Sequence, residues 1–190
     1  MNQSANLIAG LDQLDRSFGA SAAQDAATNR LTSDHAALVE ASPFVVLATS
    51  GPDGIECSPR GDLPGFVRIV DDRTLMLPDR GANHRVDSLR NIVANGQVGL
   101  LFIIPGTGAT LRVSGQAQVS IDAQLRTTFA VADRLPRSVI IVTIGSCHYR
   151  MSRAMDRSEL WNSDRYAAAA TFPTPGAVLA TGSWEDDEPR

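Results

Sequence analysis

The chain has 190 residues, of which 43% are hydrophobic and 20% charged, the balance of a folded domain with a core and not of a disordered chain. Acidic residues outnumber basic ones by 21 to 17, and a net charge of −4 argues against general polyanion binding. All 17 basic residues are arginine, which excludes a Schiff-base lysine, a P-loop lysine and a kinase-type lysine together.

Cys57 and Cys147 are too few for a disulfide scaffold, and with the three histidines they lack the close spacing of a zinc site. Met1 to Gly10 carries no basic-then-apolar leader pattern. No stretch approaches the ~20 apolar residues of a membrane helix. The expectation is a cytoplasmic protein with neither a nucleic-acid nor a membrane partner.

Residues 1–40 are alanine-rich and contain no proline. Leu7, Leu11 and Leu14 recur at helical spacing, as do Leu31, Asp34, Ala37 and Leu38, so one or two helices are predicted with a joint near Gly19 to Ala27. Pro43 ends helical order. Phe44 to Thr49 is an apolar, β-branched strand that turns through Ser50-Gly51-Pro52-Asp53-Gly54 into Ile55 to Ser58. Phe66 to Val70 and Thr74 to Leu77 form a second hairpin across Asp71-Asp72-Arg73. Val86, Leu89, Ile92 and Val93 share a helical face, and Asn95-Gly96 closes that helix. Val98 to Ile104, Thr110 to Val119 and Val139 to Ile144 are strands, with a helix from Ile121 to Ala132 between the last two. A short helix, Ser152 to Trp161, precedes a tail of Ala, Thr, Gly and Pro whose end is acidic. Strands follow strands, so the order is not an alternating βαβ pattern. The prediction is a mainly β fold with α elements, about six antiparallel strands in a small barrel with flanking helices. It spans residues 41–165, between an N-terminal helical extension (1–40) and a C-terminal tail (166–190).

The segment Leu77-Pro78-Asp79-Arg80-Gly81-Ala82-Asn83-His84-Arg85-Val86-Asp87-Ser88-Leu89 joins a strand to a helix N-terminus. That end carries roughly half a positive charge from unpaired N–H groups. Arg80 and Arg85 oppose this dipole unless an anion lies between them, and phosphate is the obvious one. Asn83, Asp87 and Ser88 can cap the helix, and Asn83 and Ser88 can also donate to phosphate. The plainer alternative pairs the two arginines with Asp79 and Asp87 on the surface. Arg60, in Cys57-Ser58-Pro59-Arg60-Gly61-Asp62, lies where backbone can approach a ligand, with an Arg60–Asp62 pair as the bland alternative. Arg112, Ser114 and Gln116 share one strand face, which by itself means solvent. Cys57 reads as a buried inert thiol, His35 as a surface residue, and Cys147 and His148 as neighbours on opposite strand faces. Trp161 reads as closing the core.

Together, FVVLATSGPDGIECSPRGD, the strand pair, LPDRGANHRVDSLRNI, VGLLFIIPG and TLRVSGQAQV resemble the pyridoxamine 5′-phosphate oxidase-like flavin-binding split barrels over roughly Ser42 to Val119. SCHYRMSRAMDRSELW extends the likeness to Trp161, similar to the closing segment of an FMN-dependent subgroup. The resemblance implies a six-stranded split barrel and a homodimer with FMN in clefts between subunits. It implies that Ser58, Pro59 and Arg60 lie along the flavin ring and that Leu77 and Pro78 begin the phosphate loop. Arg80, Asn83, Arg85 and Ser88 match the phosphate-holding positions, and Arg112 matches a polar flavin contact supplied across the dimer. The B6 oxidases themselves carry a lysine in the first flavin strand and an arginine–histidine signature near their C-terminus. This chain has neither, which argues against B6 oxidation. The implied activity is an FMN-dependent oxidoreductase acting on a small molecule. The alternatives are a non-catalytic flavin carrier or sensor, or a split barrel holding haem or a deazaflavin.

Overall fold

Seven strands form one antiparallel sheet in the order β2-β1-β5-β6-β7-β4-β3, one more than the six expected. The computed structural model describes residues 7–19, 27–81 and 86–166. Most of the expected joint (20–26), Asn83, Arg85 and nearly all of the tail (167–190) lie outside the described residues.

The first hairpin, β1 (Phe44–Gly51) and β2 (Gly54–Gly61), pairs in the register its turn dictates, with Phe44 opposite Gly61. The second, β3 (Arg68–Asp71) and β4 (Thr74–Asp79), is short and irregular, and its four-residue strand β3 forms one edge of the sheet. β5 (Gln97–Ile103) and β6 (Ala109–Ser120) follow. β7 runs Ser138–Met151, well beyond the apolar stretch that ends at Ile144. Pairing with the long β6, as far as Ala109 opposite Met151, carries it on through polar sequence. Between Ser114 and Gly115 the register shifts, which leaves Gly145 of β7 as the extra residue of a bulge.

Helix α1 (Leu11–Phe18) lies on the surface, and α2 (Ser33–Ala41) stops short of Pro43 as expected. His35 is buried, contrary to the expectation of a surface residue. It completes a reciprocal cap in which Thr32 Oγ1 accepts from the His35 N–H and His35 Nδ1 accepts from the Thr32 N–H, both at 3.3 Å. Helix α3 (Asp87–Asn95) ends at Gly96, whose φ of +72° is the left-handed cap that the Asn-Gly pair predicts. Helix α4 (Ala123–Thr128) starts at the Asp122 cap but is half the expected length, because Phe129 turns inward and is buried. Helix α5 (Arg153–Arg157) lies just beyond β7. Trp161 lies at the surface and donates from Nε1 to the Thr107 carbonyl at 2.7 Å, so it staples the β5–β6 turn and does not fill the core.

The core sits inside the curl of the sheet. Val45 and Leu47 of β1, Leu75 and Leu77 of β4, and Ile140 and Val142 of β7 are all essentially inaccessible. Residues 28–31 close one side: Thr28 pairs with Cys147, and the buried Leu31 donates its N–H to the Asp72 carbonyl at 2.7 Å. Burial raises the Cys147 thiol to about 11, which makes it chemically inert at neutral pH.

Candidate functional site

Alternation along β2 sends Cys57 and Pro59 outward and Glu56, Ser58 and Arg60 toward α3. Cys57 is therefore exposed, which corrects the expectation of a buried thiol; as an outward residue of an edge strand it has no core to enter. A core-facing strand carrying Glu, Ser and Arg in place of aliphatic residues needs polar partners. Helix α3 supplies them. Ser88 Oγ donates to Glu56 Oε2 at 2.6 Å and lies 3.1 Å from Ser58 Oγ, and Arg60 Nη2 approaches it at 3.4 Å. Thr49 Oγ1 donates to Glu56 Oε2 at 3.2 Å and accepts from Asn91 Nδ2 at 3.1 Å. A cleft of about 500 Å³ opens beside this network, lined by Asp53, Ile55, Glu56, Asp87, Arg90 and Asn91.

Arg60 pairs with Asp79 through Nη1, not with Asp62, and Asp79 is almost fully buried. Arg80 donates from Nε to Asp62 at 2.7 Å and from Nη1 to the Phe129 carbonyl at 3.1 Å. Both surface alternatives, Arg60–Asp62 and Arg80 with Asp79 or Asp87, thus give way to an exchange of partners. The physical reason is the curl of the sheet. It brings β2, at one edge, against the end of β4 near the other, so two ion pairs cross the seam between them. Arg80 is consequently turned away from the α3 N-terminus. That terminus has Val86 as its N-cap, a residue with no side-chain group to cap it, and Ser88 instead spends its hydroxyl on Glu56.

Asp62 is held below the usual carboxylate range by the Leu63 N–H it accepts, which outweighs the opposing desolvation, and further by the hydrogen bond and charge of Arg80. A depressed folded value means that the unfolded chain binds the proton more readily. This contribution to stability is therefore complete above the ordinary carboxylate pKa and is lost as pH falls through the depressed value. Asp62→Asn is expected to lower the neutral plateau slightly, because the pair is partly solvated, and to converge with the parent as pH falls below about 4, so that its acid slope is flatter. Denaturant melts from pH 2.5 to 7 check this, and an unaltered acid slope would show that Asp62 is not coupled to folding.

The expected site residues fall into four places. Ser58, Arg60 and Ser88 converge in the network. Leu77 and Pro78 are buried in β4, where Leu77 packs in the core and both carry the chain to Asp79. Pro59 and Arg112 lie on the outer sheet face, in one register row that runs Pro59, Val46, Leu101, Arg112, His148 across five strands. Arg80 stands apart with Asp62. Glu56, Asp79 and Asn91 were missed, although the period-two run Glu56, Ser58, Arg60 does mark the polar face.

Arg60 Nε is buried and has no hydrogen-bond partner among the described residues. An inward-facing guanidinium with an unused donor, beside two serine hydroxyls, fits an oxyanion such as a phosphate monoester. Among the described residues no group of histidine, cysteine and carboxylate side chains could hold a metal ion, and no helix is long and apolar enough to cross a membrane.

No curated protein matches the chain. In solved structures the fold recurs in HupZ from Group A Streptococcus, 17% identical with a TM-score of 0.53 over 64% of this chain and 95% of that one. It recurs also in a Lactobacillus delbrueckii protein described as a candidate pyridoxamine 5′-phosphate oxidase, 21% identical with a TM-score of 0.51 over the same shares. At such identities the likeness concerns the fold. Residues 31–171, most of the chain, match the pyridoxamine 5′-phosphate oxidase family as a sequence, and the chain therefore belongs to that family.

Proposed function

We propose that the protein binds FMN and acts as an FMN-dependent oxidoreductase on a small molecule, with the phosphate held by Ser58, Arg60 and Ser88. Asn83 and Arg85, just before α3 in sequence, add to this set. The observation that carries the reading is the orphaned Nε of Arg60 beside two serine hydroxyls, in a chain of this family. Bound FMN supplies the electron transfer, so the protein's part is binding, orientation and electrostatics. Arg112 stands on the opposite face of the sheet from Arg60. One subunit therefore presents the phosphate groups while another presents Arg112, and the unit of function is a homodimer. The half-buried Val46, Ala48, Leu101 and Ile103 of the outer face supply the apolar part of that interface.

Titration of FMN and riboflavin into the purified protein tests the reading. FMN is expected to bind at least tenfold more tightly than riboflavin. Arg85→Ala is expected to lower FMN affinity about ten- to a hundredfold and to leave riboflavin unchanged, the effect of removing one charge-assisted bond to phosphate. Equal affinity of FMN and riboflavin for the parent would end the phosphate reading. Light scattering is expected to give a dimer, and a monomer at micromolar concentration would remove the shared site. A yellow protein that oxidises NADH or NADPH is the enzyme; one inert to every donor is a carrier.

A further inference from the structure

The polar network has a second side that none of the residues assigned above occupies. β4 and β7 pair with Leu75 opposite Val142, Leu77 opposite Ile140 and Asp79 opposite Ser138. Directly opposed residues share a face, so Ser138 stands with Asp79 on the core face, at the end where Arg60 arrives. Ser138 is 97% buried by residue, being 3% exposed, and its Oγ has no hydrogen-bond partner among the described residues. Arg60 Nε is in the same condition. Two orphaned buried polar groups thus flank one carboxylate. An alanine at position 138 would avoid that cost if packing were the only demand.

Arg137 precedes Ser138 and is exposed. Its N–H donates to the Asp79 carbonyl at 2.8 Å. Its side chain crosses Gly81 so closely that a Cβ there would fall 2.5 Å from Arg137 Cδ and 3.2 Å from Nη1. The guanidinium makes no ion pair among the described residues, although it lies on the loop that leaves β4 beside Asp79. Charge gives it a purpose. Asp79 already neutralises Arg60, and Glu56 adds a second carboxylate to the network. Against those two carboxylates Arg60 alone leaves the cluster net acidic, and Arg85 only brings it to neutrality, so a phosphate dianion entering there favours a further cation.

We propose that Arg137 and Ser138, at the start of β7, are the second wall of the phosphate site. The Ser138 hydroxyl and Arg60 Nε are the two buried groups that a phosphate monoester satisfies, and Arg137 supplies the positive charge that Asp79 withdraws from Arg60. This rests on the phosphate reading above and extends it to residues that carry no sequence motif.

Ser138→Ala and Arg137→Gln test it with FMN and riboflavin as the probes. Ser138→Ala is expected to leave the melting temperature of the ligand-free protein equal or higher, because an orphaned hydroxyl is gone, and to weaken FMN about tenfold. Arg137→Gln, an exposed change that leaves folding untouched, is expected to weaken FMN about tenfold and to reduce the salt dependence of binding. Riboflavin affinity stays at the parent value in both. If the parent prefers FMN but both variants bind it as the parent does, the second wall is overturned while the phosphate reading stands. If the parent shows no preference for FMN, both fall together.

Discussion

Asp79→Ala is expected to destabilise the protein by about 3–5 kcal/mol and to lower its melting temperature by about 10 °C. The size follows from what is left behind and not from the worth of the pair. Asp79 is almost fully buried and Arg60 mostly so, and removing the carboxylate strands a guanidinium whose Nε already lacks a partner. Loss of one partner of a buried ion pair costs far more than loss of both. The double variant Arg60→Met with Asp79→Leu is therefore expected to recover most of the loss. Thermal and urea melts of the two single variants and the double variant in the ligand-free state form the cycle that decides this. A cost under about 1 kcal/mol for Asp79→Ala would mean that the pair behaves like a solvated surface contact.

Gly115→Ala comes next in size, at about 3 kcal/mol. A Cβ on Gly115 would lie 2.1 Å from the Thr143 carbonyl oxygen, 3.0 Å from its carbon and 3.2 Å from the Gly145 nitrogen. All three are backbone atoms of the facing strand, so no rotamer change relieves them. The bulge at Gly145 draws β7 this close and admits only glycine at the opposing position. Gly99→Ala is the control: its Cβ would meet the Ala48 Cβ at an ordinary 3.7 Å, and a change within about 0.5 kcal/mol is expected. Equal melting temperatures for the two variants would show that the strands part easily at the bulge.

Local signals told most about this fold. The Ser50–Gly54 turn, Pro43, the Asp122 cap and the Asn95-Gly96 stop each act within a few residues, and each stands where its chemistry requires. Of Gly145 to Met151 only Cys147 and His148 read as strand, because the run of glycine, serine and polar residues owes its extension to β6, more than twenty residues earlier. The site divides along the same line. Ser58 and Arg60 belong to a readable period-two face, and Ser88 follows a recognisable segment. Arg60–Gly61–Asp62 and Asp79–Arg80 display complementary charges, but which arginine meets which aspartate depends on how far the sheet curls. Ser138 carries no signal at all, since a lone serine before an apolar run looks like a strand boundary.

The pairing of Thr28 with Cys147 has a consequence in time. The two residues are about 120 positions apart, and they exchange hydrogen bonds at 2.7 and 3.2 Å on the side of β7 that β4 no longer covers. Closing so long a loop adds little beyond what a shorter one costs, but the contact cannot form until β6 and β7 have already joined. Docking of the N-terminal strap is thus a late event in folding and an early one in opening. The Cys147 amide reports it separately from the sheet, because its hydrogen bond is to the strap alone. Native-state exchange at that amide measures how often the strap lifts while the sheet beneath stays folded.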